Sequence, residues 1–254
     1  MSRILIALYG GLAYLGFLVT FLYAIGFIMS LGVPKAVNDG PEGPVWLALL
    51  VNLGLMSLFA VQHSIMARPW FKQRWTRIVP KAMERATFVV ATCIVLGLLY
   101  WLWRPIPMVI WRAGDPVTEF TLIAISVVGW LMVLYSSFLI DHFDLFGLRQ
   151  VLLHLRRRPY IHRPFAVRSL YRLVRHPLML GFLIAFWSTP LMTGGHLLFA
   201  AVVTAYIVVA LQFEERDLVR HLGEDYVAYK RRTPMLLPRL IRRSTPAIPI
   251  TESA

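Results

Sequence analysis

Six apolar stretches dominate the chain, at roughly 4–31, 45–67, 86–103, 120–140, 178–192 and 196–213, and its polar residues are gathered into the segments between them. A helix needs about 20 residues to cross the hydrocarbon core of a bilayer. The first, second and fourth stretches exceed that, and the third and sixth lie near the lower limit. The fifth is short, closes on Thr189-Pro190 and is followed by Gly194-Gly195. The pattern predicts an all-α integral membrane protein of about six hydrophobic helices, the last two forming a short hairpin. The first apolar run follows Arg3 directly and is too long for a signal-peptide core, so a retained membrane helix is expected there. Residues 1–243 read as one membrane-embedded domain, and the Pro/Ser/Thr-rich tail 244–254 as disordered.

Composition agrees with the pattern. Hydrophobic residues make up 58% of the 254 and charged ones only 15%, which excludes an ordinary soluble domain. The net charge of +13 is distributed unevenly. Segment 68–85 holds six Lys/Arg, 141–177 holds eight and the chain beyond 213 holds eight. With Arg3, one side collects 23 of the 26, leaving Lys35, Arg104 and Arg112 for the other. The positive-inside rule then puts both termini in the cytoplasm. Such one-sided charge suits anionic lipid headgroups better than nucleic acid. Trp101, Trp103 and Trp111 read as an aromatic belt at the opposite rim. The single cysteine, Cys93, excludes an intrachain disulfide and reads as an inert thiol.

Polar residues beside membrane helices are expensive and point to function. In Arg175-His176-Pro177, the proline suits the first turn of a helix running into the membrane. Its free N–H groups and positive dipole end form a site for a carboxylate or phosphate, with Arg175 and His176 at the mouth. Gly181, one turn later, would let a ligand approach the backbone. Glu214-Glu215 ends the sixth stretch, and its helix is expected to continue to Leu222 and stop at Gly223. Either carboxylate could hold an ammonium group or form a salt bridge to the basic segments. Gly223-x-x-Tyr226-x-x-Tyr229, followed by Pro234, adds aromatic hydroxyls, as does Tyr171. Together these blocks would suit a zwitterion joined to an aromatic base.

His176-Pro177-x-x-x-Gly181, the glutamate pair and Gly223-x-x-Tyr226-x-x-Tyr229 with Pro234 resemble the signature of the isoprenylcysteine carboxyl methyltransferase-like membrane methyltransferases, over about residues 163–238. That resemblance implies S-adenosylmethionine as cofactor, leaving as S-adenosylhomocysteine. It implies a cofactor site at Arg163 to Ala166, Tyr171, His176, Pro177, Gly181 and Glu214 or Glu215, to which the residue pattern itself adds Arg175 and Tyr229. Met179 stands where the group usually has tyrosine. Val209-Ala210-Leu211 replaces the arginine-bearing turn of the prenylcysteine branch, so a prenylcysteine acceptor is not expected. Asp141-His142-Phe143-Asp144-Leu145-Phe146-Gly147-Leu148-Arg149-Gln150 and Arg158-Pro159-Tyr160 resemble instead the bacterial branch that methylates a small volatile thiol, methanethiol, to dimethyl sulfide, with hydrogen sulfide as a possible second acceptor. The resemblance implies residence in the bacterial inner membrane, with the active site toward the cytoplasm.

Methyl transfer to sulfur needs a thiolate, and an alkanethiol is mostly protonated at neutral pH. A base or a positive field is therefore required. His142, oriented by Asp141 or Asp144, is the expected base, and Arg149 could stabilise the thiolate. The competing readings are His176 as base and an ion-pair cluster that only supports the fold. His63 could line a cavity or be an interfacial residue, and His196 reads as a helix cap. His154 and His162 read as exposed, and His221 suits a helix C-terminus. No zinc-ligand spacing occurs, and none is expected for this chemistry. Two other classes remain open: a methyltransferase for another thiol or a lipid amine, and a non-catalytic membrane protein or small-solute transporter. The chain shows none of the internal symmetry common in transporters.

Overall fold

The computed structural model describes residues 2–161 and 165–238. His162, Arg163 and the tail 244–254 lie outside the described residues. Five helices are long and apolar enough to cross a membrane: α1 (Arg3–Met29), α2 (Val45–Ala67), α4 (Glu84–Leu102), α5 (Pro116–Ile140) and α9 (Gly194–Leu222). Short helices α3 (Pro69–Trp75), α6 (His142–Leu145), α7 (Leu148–Leu155) and α10 (Glu224–Arg232) lie in the polar segments. Local chemistry sets several ends. Ser2 caps α1 by accepting from Leu5 N–H, and Asp115 caps α5 ahead of Pro116. Large apolar side chains such as Leu12, Leu22, Leu50 and Phe120 cover the outside, as lipid contact requires.

The remaining helix, α8 (Pro177–Trp187), begins at the proline and has 11 residues, about 16 Å. Its partner in the hairpin is much longer than α8, because the helix continues past the apolar stretch to Leu222 as expected. α9 runs for 29 residues, through Glu214-Glu215, and stops at Gly223, whose φ of 60° suits glycine. Nothing in that stretch breaks a helix, and Glu215 is neutralised by neighbours. α8 packs on α5 at backbone contact. A Cβ on Gly181 would stand 2.8 Å from the Gly129 carbonyl oxygen, so both positions require glycine.

Two further features correct the purely helical, belted picture. Strands β1 (Val109–Arg112) and β2 (Leu191–Thr193) pair antiparallel and tie the α4–α5 connection to the α8–α9 turn. Trp103 is no rim residue. It is fully buried with Phe27 and Phe199 and donates to the Val37 carbonyl at 3.1 Å. Trp101 is exposed, and Trp111 donates to the Thr189 carbonyl. His196 is buried in the first turn of α9, where Thr193 is the cap, and its Nε2 contacts the Phe186 carbonyl oxygen at 2.8 Å.

Candidate active site

The polar blocks of the sequence meet around one cavity of about 940 Å³. One wall is built by the 165–177 segment, the start of α8, the inner end of α9 and α10. Arg175 N–H donates to the Pro234 carbonyl and His176 N–H to the Met235 carbonyl, so the chain beyond α10 straps the entry to α8. Adjacent glutamates on α9 then part company. Glu215 is 3% exposed and meets three groups: Arg175 Nε at 2.5 Å, His176 Nε2 at 3.1 Å and Lys230 Nζ at 2.9 Å. Arg175 also donates to the carbonyls of Lys230 and Thr233. Glu214, about 100° round the helix, faces the cavity and makes no hydrogen bond or ion pair with any described residue.

Tyrosines complete this wall. Tyr171, Tyr226 and Tyr229 line the cavity, and Tyr229 donates to the Tyr171 carbonyl at 2.6 Å. Phe165 meets Tyr226 and Tyr229 edge-on. Burial, reinforced by Glu214, raises Tyr171, and burial pushes Tyr229 to about 12 against the opposing charge of Arg175. These phenols therefore stay neutral.

The sequence-derived site residues are divided by this geometry. Tyr171, Arg175, His176, Glu214 and Tyr229 line the cavity, although Arg175 has its Nε and one amino nitrogen engaged by protein. Pro177 and Gly181 do not line it. Pro177 is fully buried, and Gly181 faces α5, not a ligand. Glu215 likewise turns away from the cavity and holds the wall together.

Asp141, His142 and Asp144 line the same cavity from the α5–α7 connection, whereas Arg149 lies behind them. The carboxylates face Arg149, at 3.6 Å from Asp141 and 3.3 Å from Asp144, and Tyr160 donates to Asp144 at 2.9 Å. Neither aspartate orients His142 by a hydrogen bond. Ser137 Oγ donates to the Leu134 carbonyl at 2.6 Å, so its oxygen accepts from His142 Nδ1–H at 2.8 Å. Nε2 then carries the lone pair and accepts from Tyr14 Oη at 2.9 Å. The ring stacks on Phe138 at 4.2 Å. Burial pushes His142 below its ordinary value, with Asp141 opposing, so it stays neutral. Tyr14 and Ser137 were not legible as partners because each is one hydroxyl in an apolar helix. The other walls come from α1, α2, α4 and α5 and are mostly apolar, but include His63, Arg85 and Cys93. Arg85 was hidden among the six basic residues of its segment, which the charge pattern assigns collectively to lipid.

These features define the class: a polytopic helical membrane protein with an internal cavity, polar on one wall and apolar on the others. No protein-family profile matches the chain, and no solved structure does. Among characterised proteins it is 53% identical over 238 residues to the methanethiol S-methyltransferase of Mycobacterium tuberculosis, covering 94% of this chain and 98% of that one. It is 45% identical over 244 residues to the methanethiol S-methyltransferase of Crocosphaera subtropica, covering 96% of each. A more distant relative is human Nurim, 30% identical over 209 residues, covering 74% of this chain and 78% of that protein. The chain belongs to the methanethiol S-methyltransferase family.

Proposed function

We propose that the protein methylates methanethiol to dimethyl sulfide with S-adenosylmethionine as donor, in the bacterial inner membrane with its cavity served from the cytoplasm. Hydrogen sulfide is a second, smaller acceptor of the same kind. The observation that carries this reading is the cavity itself, which joins a carboxylate unpaired among the described residues and neutral tyrosines to a large apolar space. The volume lies at the upper end of the usual range for ligand pockets of about 300–1,000 Å³.

The residues present fit the donor. Glu214 is a cavity-facing carboxylate without a partner among the described residues, which suits an ammonium group. The first turn of α8, at Leu178 and Met179, presents backbone N–H groups that suit a carboxylate. Tyr171, Tyr226, Tyr229 and Phe165 offer faces and hydroxyls for a purine and ribose. S-adenosylmethionine, when bound, supplies a methyl group activated on a sulfonium. Glu215, Arg175, His176 and Lys230 hold the wall that aligns it, and alignment is a large part of what an in-line displacement needs. Phe17, Phe146 and the His142 ring close the cytoplasmic side of the apolar space and exclude water. Because both ring nitrogens of His142 are engaged, it serves as a neutral wall that orients α6, with no lone pair left free for a thiol proton. A small apolar thiol partitions into the bilayer, which suits an acceptor space of this character.

Purified protein given labelled S-adenosylmethionine and methanethiol is expected to release labelled dimethyl sulfide into the headspace. A folded sample that binds no S-adenosylhomocysteine and makes no dimethyl sulfide overturns the reading. Methylation of a lipid amine in the same preparation would favour the alternative acceptor.

A further inference from the structure

Arg85, in the first turn of α4, is a cation facing the cavity whose charge no described residue takes up. Its Nε donates to the Leu145 carbonyl at 2.7 Å, and its guanidinium lies over the Phe88 ring at 5.1 Å. The turn that presents Leu145 is held close by Gly147. A Cβ there would stand 2.7 Å from Ala86 N, and its φ is 85°, so only glycine fits. The side chain is thus fixed from two sides. Its two amino nitrogens make no hydrogen bond or ion pair with any described residue, yet Arg85 lines the cavity. A guanidinium that lines the cavity with donors left over suits an anion.

The other cations do not compete for that role. Arg149 is engaged by Asp141 and Asp144 and lies outside the cavity. Arg175 is engaged by Glu215 and by carbonyls. Arg168 belongs to the segment that builds the donor wall. The charged and titratable groups that face Arg85 are Glu84 of its own turn, Asp144 of α6, Tyr160 beyond α7, His63 of α2 and Lys72 of α3. None stands within ion-pair distance of it, and Asp144 is already engaged.

We propose that Arg85 is a catalytic residue that receives the acceptor sulfur and holds it as the thiolate. This rests on the reading of the protein as a methanethiol methyltransferase. The thiol's S–H bond breaks and its proton leaves to solvent water. The electron pair freed on sulfur forms the new bond to the transferred methyl carbon, while the old carbon–sulfur pair returns to the donor's sulfur. One proton is released for each dimethyl sulfide. A cation within about 4–6 Å lowers the pKa of an acid by about 1–3 units. That raises the thiolate fraction at neutral pH by roughly 10–1,000-fold.

The test is the pH profile of kcat/KM for methanethiol, from about pH 6.5 to about pH 9.5, in wild type, Arg85→Met and Arg85→Lys. Arg85→Met is expected to lose roughly 10–1,000-fold at neutral pH. The loss should shrink steadily as rising pH ionises the thiol unaided. Arg85→Lys should keep most of the rate, and all three should bind S-adenosylhomocysteine alike. A folded Arg85→Met with an unchanged rate, or with the same loss at every pH, overturns the assignment. If Arg85→Met does not fold, wild type loaded with S-adenosylhomocysteine and methanethiol is read for thiolate ultraviolet absorbance at neutral pH. Its appearance supports the assignment, and its absence overturns it. Wild type that makes no dimethyl sulfide overturns the methyltransferase reading itself, which separates the two failures.

Discussion

Glu214 and Glu215 are neighbours of the same chemical type with opposite surroundings. The single step round α9 buries one carboxylate among Arg175, His176 and Lys230 and turns the other into the cavity. Replacing Glu215 leaves the buried Arg175 and the partly exposed Lys230 without their counter-charge, and breaking a buried pair costs about 3–5 kcal/mol. Glu215→Gln should therefore lower the melting temperature strongly and reduce the yield of folded protein. Glu214→Gln removes no hydrogen bond or ion pair to any described residue, so its melting temperature should match wild type. It should lose a charged hydrogen bond to the donor's ammonium, worth about 1.5–3 kcal/mol, or roughly 10–150-fold in affinity. Thermal melting and S-adenosylhomocysteine calorimetry on both variants separate the roles. A Glu214→Gln protein that binds like wild type would remove Glu214 from the donor site.

Between helices, the closest approach is that of α5 and α8, made possible by Gly129 and Gly181. A methyl group on Gly181 would meet the Gly129 carbonyl oxygen at 2.8 Å and Val133 N at 2.9 Å, both backbone atoms that cannot swing aside. Overpacking of this kind costs about 1–3 kcal/mol. Gly181→Ala should melt earlier and, because α8 carries His176 and Pro177 at its start, should also weaken donor binding. Gly54→Ala on α2, where nothing lies within 4 Å of the added carbon, is the control and should do neither. Equal behaviour of the two variants would remove the packing argument. This pair also shows what was legible beforehand. The start of α8 at Pro177 and the end of α9 at Gly223 were readable because proline and glycine act locally. The partner of Gly181 was not, because a glycine on one helix carries no record of which helix it meets. Nor were the β1–β2 pairing or the burial of Trp103, which depend on contacts between segments about 80 and 66 residues apart. Likewise the two glutamates could not be told apart until Arg175 and Lys230 were placed around one of them.

For the whole molecule, the distribution of charge makes the strongest claim. Of 26 Lys/Arg, 23 fall in segments that alternate with those carrying Lys35, Arg104 and Arg112. The five long helices and α8 connect these segments in a consistent alternation, and β1–β2 holds two of the basic-poor connections together. Short basic connections resist translocation across the membrane, so the basic set should face the cytoplasm. The wall proposed to hold the donor belongs to that set through Arg168, Arg175 and Lys230, which suits a cofactor drawn from the cytoplasm. Single-cysteine labelling tests this. In a Cys93→Ala background, Gln73→Cys probes the basic α2–α4 connection and Gly114→Cys the basic-poor α4–α5 connection, both at exposed positions. An impermeant maleimide added to spheroplasts should label Gly114→Cys, and should reach Gln73→Cys only after the membrane is opened. The reverse pattern would put the donor wall on the outer face, away from the cytoplasmic cofactor pool, and the proposed reaction could not be sustained there.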